Sequence, residues 1–174
     1  MNADNANSLC RECGLCCNGV IFADVQLRPA DNAARLRLLG LAFVQKSKAG
    51  SEKFRQPCAA FAGCKCNIYP ERPSYCREFE CLLLKGVKAG EVKISEAQKL
   101  IRLALKQAAT VKRLLRQLGD TNESLALSKR VRRMTRKVER SPYDREAAHL
   151  FAELTLAAHK LNVLLSDKFY REAT

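Results

Sequence analysis

The chain contains nine cysteines, and all of them lie between Cys10 and Cys81. The first eight residues, MNADNANS, are polar and no apolar run follows them, so the sequence shows no export signal. No apolar run approaches the ~20 residues that span a membrane. In a reducing cytosol, clustered thiols bind metal more often than they form disulfides, and an odd count fits a closed disulfide framework poorly. The pattern therefore predicts a cytoplasmic metal-binding protein that does not enter a membrane.

The cysteines form two groups with the spacing of metal ligands. The first group is Cys10, Cys13, Cys16 and Cys17, and the second is Cys58, Cys64, Cys66, Cys76 and Cys81. A two-residue gap lets two thiolates turn back onto one ion, and thiolates select zinc, Cu(I) or iron–sulfur clusters. Because one zinc ion or one four-iron cluster uses four thiolates, two centres with one spare thiol, or one multinuclear cluster, both fit the count. Cys16 and Cys17 would point apart in an extended chain, so they are expected to serve different centres, or one ligates while the other packs.

Two segments of this half resemble a known family. The run CRECGLCC at residues 10–17 is similar to the opening of the CxxCxxCC, or YkgJ-type, cysteine-cluster family of zinc- or iron-chelating bacterial domains. The run CNIYPERPSYCREFEC at residues 66–81 is similar to the second signature of that family. Related cysteine regions occur in flagellin lysine N-methylase. The resemblance implies zinc or an iron–sulfur cluster, in one or two centres.

The resemblance also implies which residues hold the metal. The implied ligands are Cys10, Cys13, Cys16, Cys17, Cys58, Cys66, Cys76 and Cys81, with Cys64 as an additional candidate. Arg72 and Arg77 are expected to offset the negative charge of the thiolates, or to hold a substrate carboxylate or phosphate. Tyr69 and Phe79 are expected to cover the centre and limit its contact with solvent.

The cysteine-rich half is poor in long periodic segments. We predict a short strand at 20–22, a helix within 27–41, a second strand at 54–58 and tight turns after it. A segment of this kind is ordered most easily when a metal crosslinks it. The expected domains are a flexible N-terminus at 1–8, a cysteine-cluster domain at 9–90 and a basic helical domain at 91–174.

The second half follows a helical period. Apolar residues recur every three or four positions along a first long helix at Ala97, Ile101, Ala104, Ala108, Val111, Leu115 and Leu118. Two further helices carry similar stripes, one through Leu127 and Met134 and one through Leu154 and Leu161. Ser95 is expected to cap the first helix, and residues 141–144 to start the last. The predicted fold is mainly α: a small irregular α+β cysteine domain followed by an antiparallel helical bundle or hairpin.

Positive charge is concentrated on these helices. The net charge of the chain is +13, and residues 99–140 contain thirteen Lys or Arg against three acids. The densest basic stretch, a candidate anion-binding face, is Lys129, Arg132, Arg133, Arg136, Lys137 and Arg140. Such a face attracts phosphates or acidic proteins, although charge alone is equally typical of a solvated surface. An acidic protein or a nucleic acid is therefore the expected partner.

Three functional hypotheses follow. The first is a metal-binding protein whose metal holds the N-terminal domain together. The second is an iron–sulfur redox or modification enzyme, and the third is a nucleic-acid-binding module that uses the basic helices. A hydrolase has no support, because the sequence contains no recognisable acid–base pair, P-loop or Ser–His–acid motif.

Overall fold

The computed structural model describes residues 9–44, 52–63, 65–140 and 145–170. The chain divides into two compact units. The cysteine unit runs to Glu80 and includes Ser124–Ala126, and the helical unit consists of Cys81–Glu123 with the chain from Leu127 onward. Small antiparallel sheets lie early and long helices follow, which confirms the predicted fold class. The domain limits expected at residues 8 and 90 remain predictions.

A three-stranded antiparallel sheet lies at the centre of the cysteine unit. Its strands are β1 (Asp24–Gln26), β2 (Phe43–Val44) and β3 (Lys53–Arg55), in the order β1-β3-β2. Phe54 in the middle strand pairs with Val25 on one side and with Phe43 on the other, and it is 1% exposed. The sheet is therefore organised around one aromatic side chain.

The remaining elements of the cysteine unit are short. They are α1 (Ala33–Leu38), β4 (Phe61–Ala62), β5 (Lys65–Cys66), a 3-10 turn (Tyr69–Glu71) and α2 (Ser74–Glu78), and residues 9–13 are also helical. The buried apolar cluster consists of Val25, Leu27, Leu36, Leu41, Phe54, Ala60 and Ile68. Cys58, Cys66 and Cys76 pack against this cluster. The apolar core and the thiols therefore belong to one assembly.

Two strands predicted in this unit differ from the structure, whereas the helix predicted within 27–41 is present and short. Residues 20–22 form no strand, because the backbone N–H of Ile21 bonds to the carbonyl of Leu15 within a turn. The helix predicted within 27–41 covers only Ala33–Leu38, where the side chain of Asn32 accepts the N–H of Arg35 as the N-cap. The second strand ends at Arg55, since Pro57 has no N–H for strand pairing.

The helical unit contains α3 (Leu82–Ala89), α4 (Ile94–Gln117), α5 (Leu127–Arg140) and α6 (Arg145–Lys168). Helix α4 packs chiefly against α6. The whole predicted stripe of the first long helix is buried, together with Leu114, and Leu154, Leu161 and Leu165 of α6 are buried too. The predicted apolar faces of these two helices are therefore confirmed.

The two ends of α4 are formed in different ways. The helix begins at Ile94 after Lys93, which provides no side-chain cap, so the capping role expected for Ser95 is wrong. Gly119 follows the helix with φ +81°, as expected for a glycine that terminates a helix. The start predicted for the last helix, at 141–144, lies outside the described residues. Among the helices that are described, none combines the length and apolarity needed to cross a bilayer.

A buried ion pair connects the loop after α4 to α5. Arg130 and Asp120 are 1% and 3% exposed, and the Nε of Arg130 lies 3.3 Å from the Oδ2 of Asp120. Arg130 also donates to the Asp120 carbonyl at 3.1 Å, and Arg133 forms a second ion pair with the Asp120 carboxylate. These bonds hold the first turns of α5 against the loop. Hydrophobic periodicity does not predict them, because an arginine occupies a buried position of the helix.

Candidate metal centre

A tight turn positions the adjacent cysteines. The N–H of Asn18 donates to the carbonyl of Gly14 at 2.8 Å, and fully buried Leu15 anchors the turn. The backbone here is turned rather than extended. Cys16 and Cys17 consequently both line one cavity, although an extended chain would have pointed them apart. That Cys16 and Cys17 serve different metal centres remains a prediction.

Glycine is required at position 14. Its φ is +64°, in the left-handed region that residues with a Cβ rarely adopt. A Cβ at this position would also overlap the ring of Phe61. The absence of a side chain therefore lets this aromatic ring lie directly over the first cysteine turn.

A backbone hydrogen bond joins the two cysteine groups. The N–H of Cys58 donates to the carbonyl of Cys17 at 2.8 Å. The backbone N–H groups of Ala60 and Phe61 in turn point at the sulfur of Cys58, where they favour its thiolate form. Backbone N–H donors directed at a sulfur are typical of cysteines that bind metal as thiolates.

Two short elements supply the next thiols. Cys66 stands opposite Phe61 in the β4–β5 hairpin. Cys76 lies in α2, whose first residue, Ser74, donates both its backbone N–H (2.8 Å) and its hydroxyl (2.7 Å) to the carboxylate of Asp31. Asp31 therefore caps α2 from a distant part of the chain and sets the position of Cys76.

These thiols surround a cavity of about 80 Å³ in the cysteine unit. Five of the predicted ligands line it: Cys10, Cys16, Cys17, Cys66 and Cys76. Cys58 is not part of the lining, but it interacts electrostatically with Cys17 and Cys76. The structure thus brings together six of the predicted ligands, drawn from both groups. The volume is several times what a single water molecule needs.

Two described cysteines among the predicted ligands, Cys13 and Cys81, do not line this cavity. Cys13 is half-buried and does not line the cavity. Cys81 belongs to the helical unit, where its Sγ accepts the N–H of Leu84 at 3.4 Å and caps α3. Cys64 lies outside the described residues. The ligand roles of these three cysteines remain predictions.

The clustered thiols resist ionisation. Burial, and then the nearby thiolates of Cys58 and Cys66, raises the pKa of Cys17 from 9.0 to about 12. Burial and neighbouring thiolates likewise raise the pKa of Cys76 to about 12, and burial raises that of Cys58. Thiolates packed this closely repel each other, and a bound cation would remove both the repulsion and the cost of burial. Each thiol that ligates must release a proton, so binding strengthens as pH rises.

The thiols around the cavity do not form a metal coordination sphere in this structure. Within the described parts of the chain, no three Cys, His, Asp or Glu side chains meet in an arrangement that could hold a metal ion. The eight described cysteines form no disulfides.

Two arginine side chains beside the thiols stack on the ring of Tyr69. The guanidinium carbons of Arg72 and Arg11 lie 3.6 and 4.2 Å from the ring centroid of Tyr69. Arg72 also donates to the carbonyl oxygens of Tyr69 (3.0 Å) and Cys76 (3.4 Å). Its charge opposes the rise in pKa of Cys17 and Cys76. Tyr69 thus holds two guanidinium groups at the cavity, and Arg11 was missed by the sequence reasoning.

An aromatic group forms another wall of the cavity. Phe22 makes edge-to-face contacts with Phe79 (4.8 Å between ring centroids) and Tyr75 (5.9 Å), and Tyr75 stacks on Phe79. All three rings line the cavity. Arg77 does not line it, and its charge acts on Asp31 instead. The assigned roles of Arg77, Phe79 and their neighbours around a metal remain predictions.

A buried amide also lines the cavity. Gln56 is 2% exposed, and its Oε1 has no hydrogen-bond donor in the described structure. A buried oxygen without a donor is costly, and it is uncommon in folded proteins. Residue pattern alone does not predict that Gln56 lines a cavity, because a glutamine beside a proline is typical of a surface turn.

The fold and the cavity define a small α+β domain built around clustered thiols. The family model CxxCxxCC, "Putative zinc- or iron-chelating domain", matches residues 9–108, more than half of the chain. The chain belongs to this family, as the two cysteine signatures predicted. No curated protein and no solved structure matches the chain.

Proposed function

We propose that the thiols around the cavity bind zinc or an iron–sulfur centre, and that the bound group holds the cysteine unit together. The supporting observation is the convergence of six thiols from distant segments upon one cavity. The donors fit such a group chemically, because soft thiolates select these ions. Burial raises the pKa of Cys58, and two backbone N–H groups directed at its sulfur oppose that rise.

The proposed ligands are Cys10, Cys16, Cys17, Cys58, Cys66 and Cys76. Six thiols exceed the four that one tetrahedral ion uses, so bridging thiolates or a second centre accompany full occupancy. Arg72 and Arg11 offset the negative charge that the thiolates acquire when they lose their protons. The aromatic wall limits the access of water to the centre.

A structural role follows from the size of the elements. The strands of the cysteine unit are two or three residues long, and its described helices have six residues or fewer. Elements this short contribute little stability alone, whereas a structural metal contributes directly to folding. Such a centre needs a compartment that keeps thiols reduced, as the cytoplasm does.

The experiment is metal analysis of the full chain purified without oxygen. We expect about one or two zinc ions per chain with no visible colour, or iron with acid-labile sulfide and broad visible absorption. A chain that carries neither metal, and that gains none on reconstitution under reducing conditions, contradicts the proposal. Pairwise disulfides in freshly isolated protein would contradict it as well.

A further inference from the structure

The basic face of α5 forms a groove that the proposed metal centre does not explain. The groove has a volume of about 640 Å³. Its lining consists of Lys129, Arg132, Arg133, Arg136, Lys137 and Arg140. These positions repeat every three or four residues, so the side chains share one side of the helix and extend over roughly 16 Å of its length. They are also the residues that the sequence indicated as a candidate anion-binding face.

The charge of this groove is largely uncompensated. Arg133 pairs with Asp120, which is already bonded to buried Arg130. Arg132, Arg136 and Lys137 have no acidic partner among the described residues, and no acid lines the groove. Like charges four residues apart destabilise a helix. A surface that only served solubility would intersperse acids among these cations, so the arrangement points to an anionic ligand.

The lining of the groove indicates which polyanion it suits. It contains no apolar or aromatic side chain. A protein partner or a membrane would need apolar anchors at the centre of the contact, and single-stranded nucleic acid would need aromatic rings for base stacking. What the groove offers is a row of guanidinium and ammonium donors, which match the repeating phosphates of a duplex.

We propose that the α5 groove binds the phosphate backbone of double-stranded nucleic acid. The arginines donate to phosphate oxygens along one strand, and binding releases the counterions of the duplex. Contacts of this kind to phosphate oxygens set the position of the protein on the duplex and carry no direct sequence information. The buried pair of Asp120 and Arg130 keeps the start of α5 in place while the groove is occupied.

The test compares two charge reversals in the full chain. R132E/R136E removes two cations from the groove. R102E/K106E makes the same charge change at the same spacing on exposed positions of α4. Binding of a fluorescent 20-base-pair duplex is measured over a series of salt concentrations. We expect the groove variant to bind the duplex at least tenfold more weakly. The slope of log affinity against log salt concentration should become shallower by about two, one for each lost phosphate contact, and the control should change much less.

Several outcomes would overturn the proposal. They are the absence of duplex binding at low salt, equal losses in the two variants, or tighter binding to polyglutamate or to phosphatidylserine vesicles than to the duplex. The neutral variant R132Q/R136Q, checked by circular dichroism, separates loss of binding from loss of folding. If it folds and binds the duplex as well as the unmodified chain, the groove is not the site. Metal content is measured on the same samples, so failure of the metal centre is seen separately.

Discussion

The two units of this protein are stabilised by different means. In the helical unit, α4 and α6 have 24 residues each and bury continuous apolar stripes. In the cysteine unit, the strands have two or three residues, and the half-buried Cys58, Cys66 and Cys76 pack against a core of seven apolar side chains. The helical unit therefore has an apolar core of the usual kind, whereas the cysteine unit gathers groups that resist ionisation.

This difference indicates which unit a bound metal would stabilise. A pKa near 12 for Cys17 and Cys76 means that each thiol stays protonated at neutral pH while nothing is bound. A cation that replaces those protons converts mutual repulsion into shared attraction. In the described part of the helical unit, by contrast, the buried charge of Arg130 already has a carboxylate partner.

Metal removal should therefore affect one unit and leave the other folded. A structural zinc site contributes on the order of 10 kcal/mol to folding. After chelation under reducing conditions, we expect amide protection to be lost across residues 9–80 and retained in the cores of α4 and α6. Hydrogen–deuterium exchange with mass spectrometry, peptide by peptide, measures both regions in one sample.

The proposed difference between the units is contradicted if both units lose amide protection together, or if neither does. Re-addition of the same metal is the control, because it should restore protection in the cysteine unit alone. Loss of protection that re-addition does not reverse would indicate thiol oxidation, and it is checked by thiol titration of the same sample.

The next largest effect separates two cysteines of the same unit. Cys76 lines the cavity, whereas Cys13 does not. We expect Cys76→Ser to lower zinc affinity by more than the 10–100-fold that loss of an outer-shell contact costs. Cys13→Ser, which makes the same chemical change, should cost less. Competition with a chromophoric chelator measures both, and equal losses would place Cys13 among the ligands.

The buried ion pair is the matching test in the helical unit. Asp120→Ala leaves Arg130 buried without its carboxylate, which should cost about 3–5 kcal/mol of unfolding free energy. The control is Glu123→Ala, which breaks an exposed pair with Arg116 in the same loop and should change stability little. Urea denaturation followed by circular dichroism measures both variants. A small effect of Asp120→Ala would mean that Arg130 finds other partners, and the pair would not anchor α5.

The sequence predicted the helical unit better than the cysteine unit, for a physical reason. A 24-residue helix repeats its apolar pattern over many turns, so the buried face of α4 could be read from residue spacing. The short elements of the cysteine unit are too short to show a repeating apolar pattern. The predicted strand at 20–22 was wrong because hydrogen bonds to Leu15 and Asn18 decide the path there, and those contacts do not repeat along the chain.

The candidate site shows the same limit. Cysteine spacing pointed to the thiols, and the family signatures added Tyr69, Arg72 and Phe79, all of which line the cavity. Arg11 and Gln56 were missed. Arg11 lies within the first signature, but its position over the ring of Tyr69 depends on how the chain folds, and Gln56 lies outside both signatures. Buried Arg130 was predicted only as one more basic residue, since charge counts do not distinguish a buried cation from an exposed one.

The smallest expected effect concerns one buried amide oxygen in each unit that accepts no hydrogen bond. The Oε1 atoms of Gln56, at the thiol cavity, and Gln107, in α4, are both buried without a donor among the described residues. Leucine at either position removes a buried polar group that lacks a partner, which should stabilise metal-free protein by about 1–3 kcal/mol. We expect Gln107→Leu to have the same effect with and without metal. Gln56→Leu should lose its gain in metal-loaded protein, where the amide meets the bound group or its water. Urea denaturation of both variants in both states measures this, and an identical gain for Gln56→Leu in the two states would show that the amide has no part in the centre.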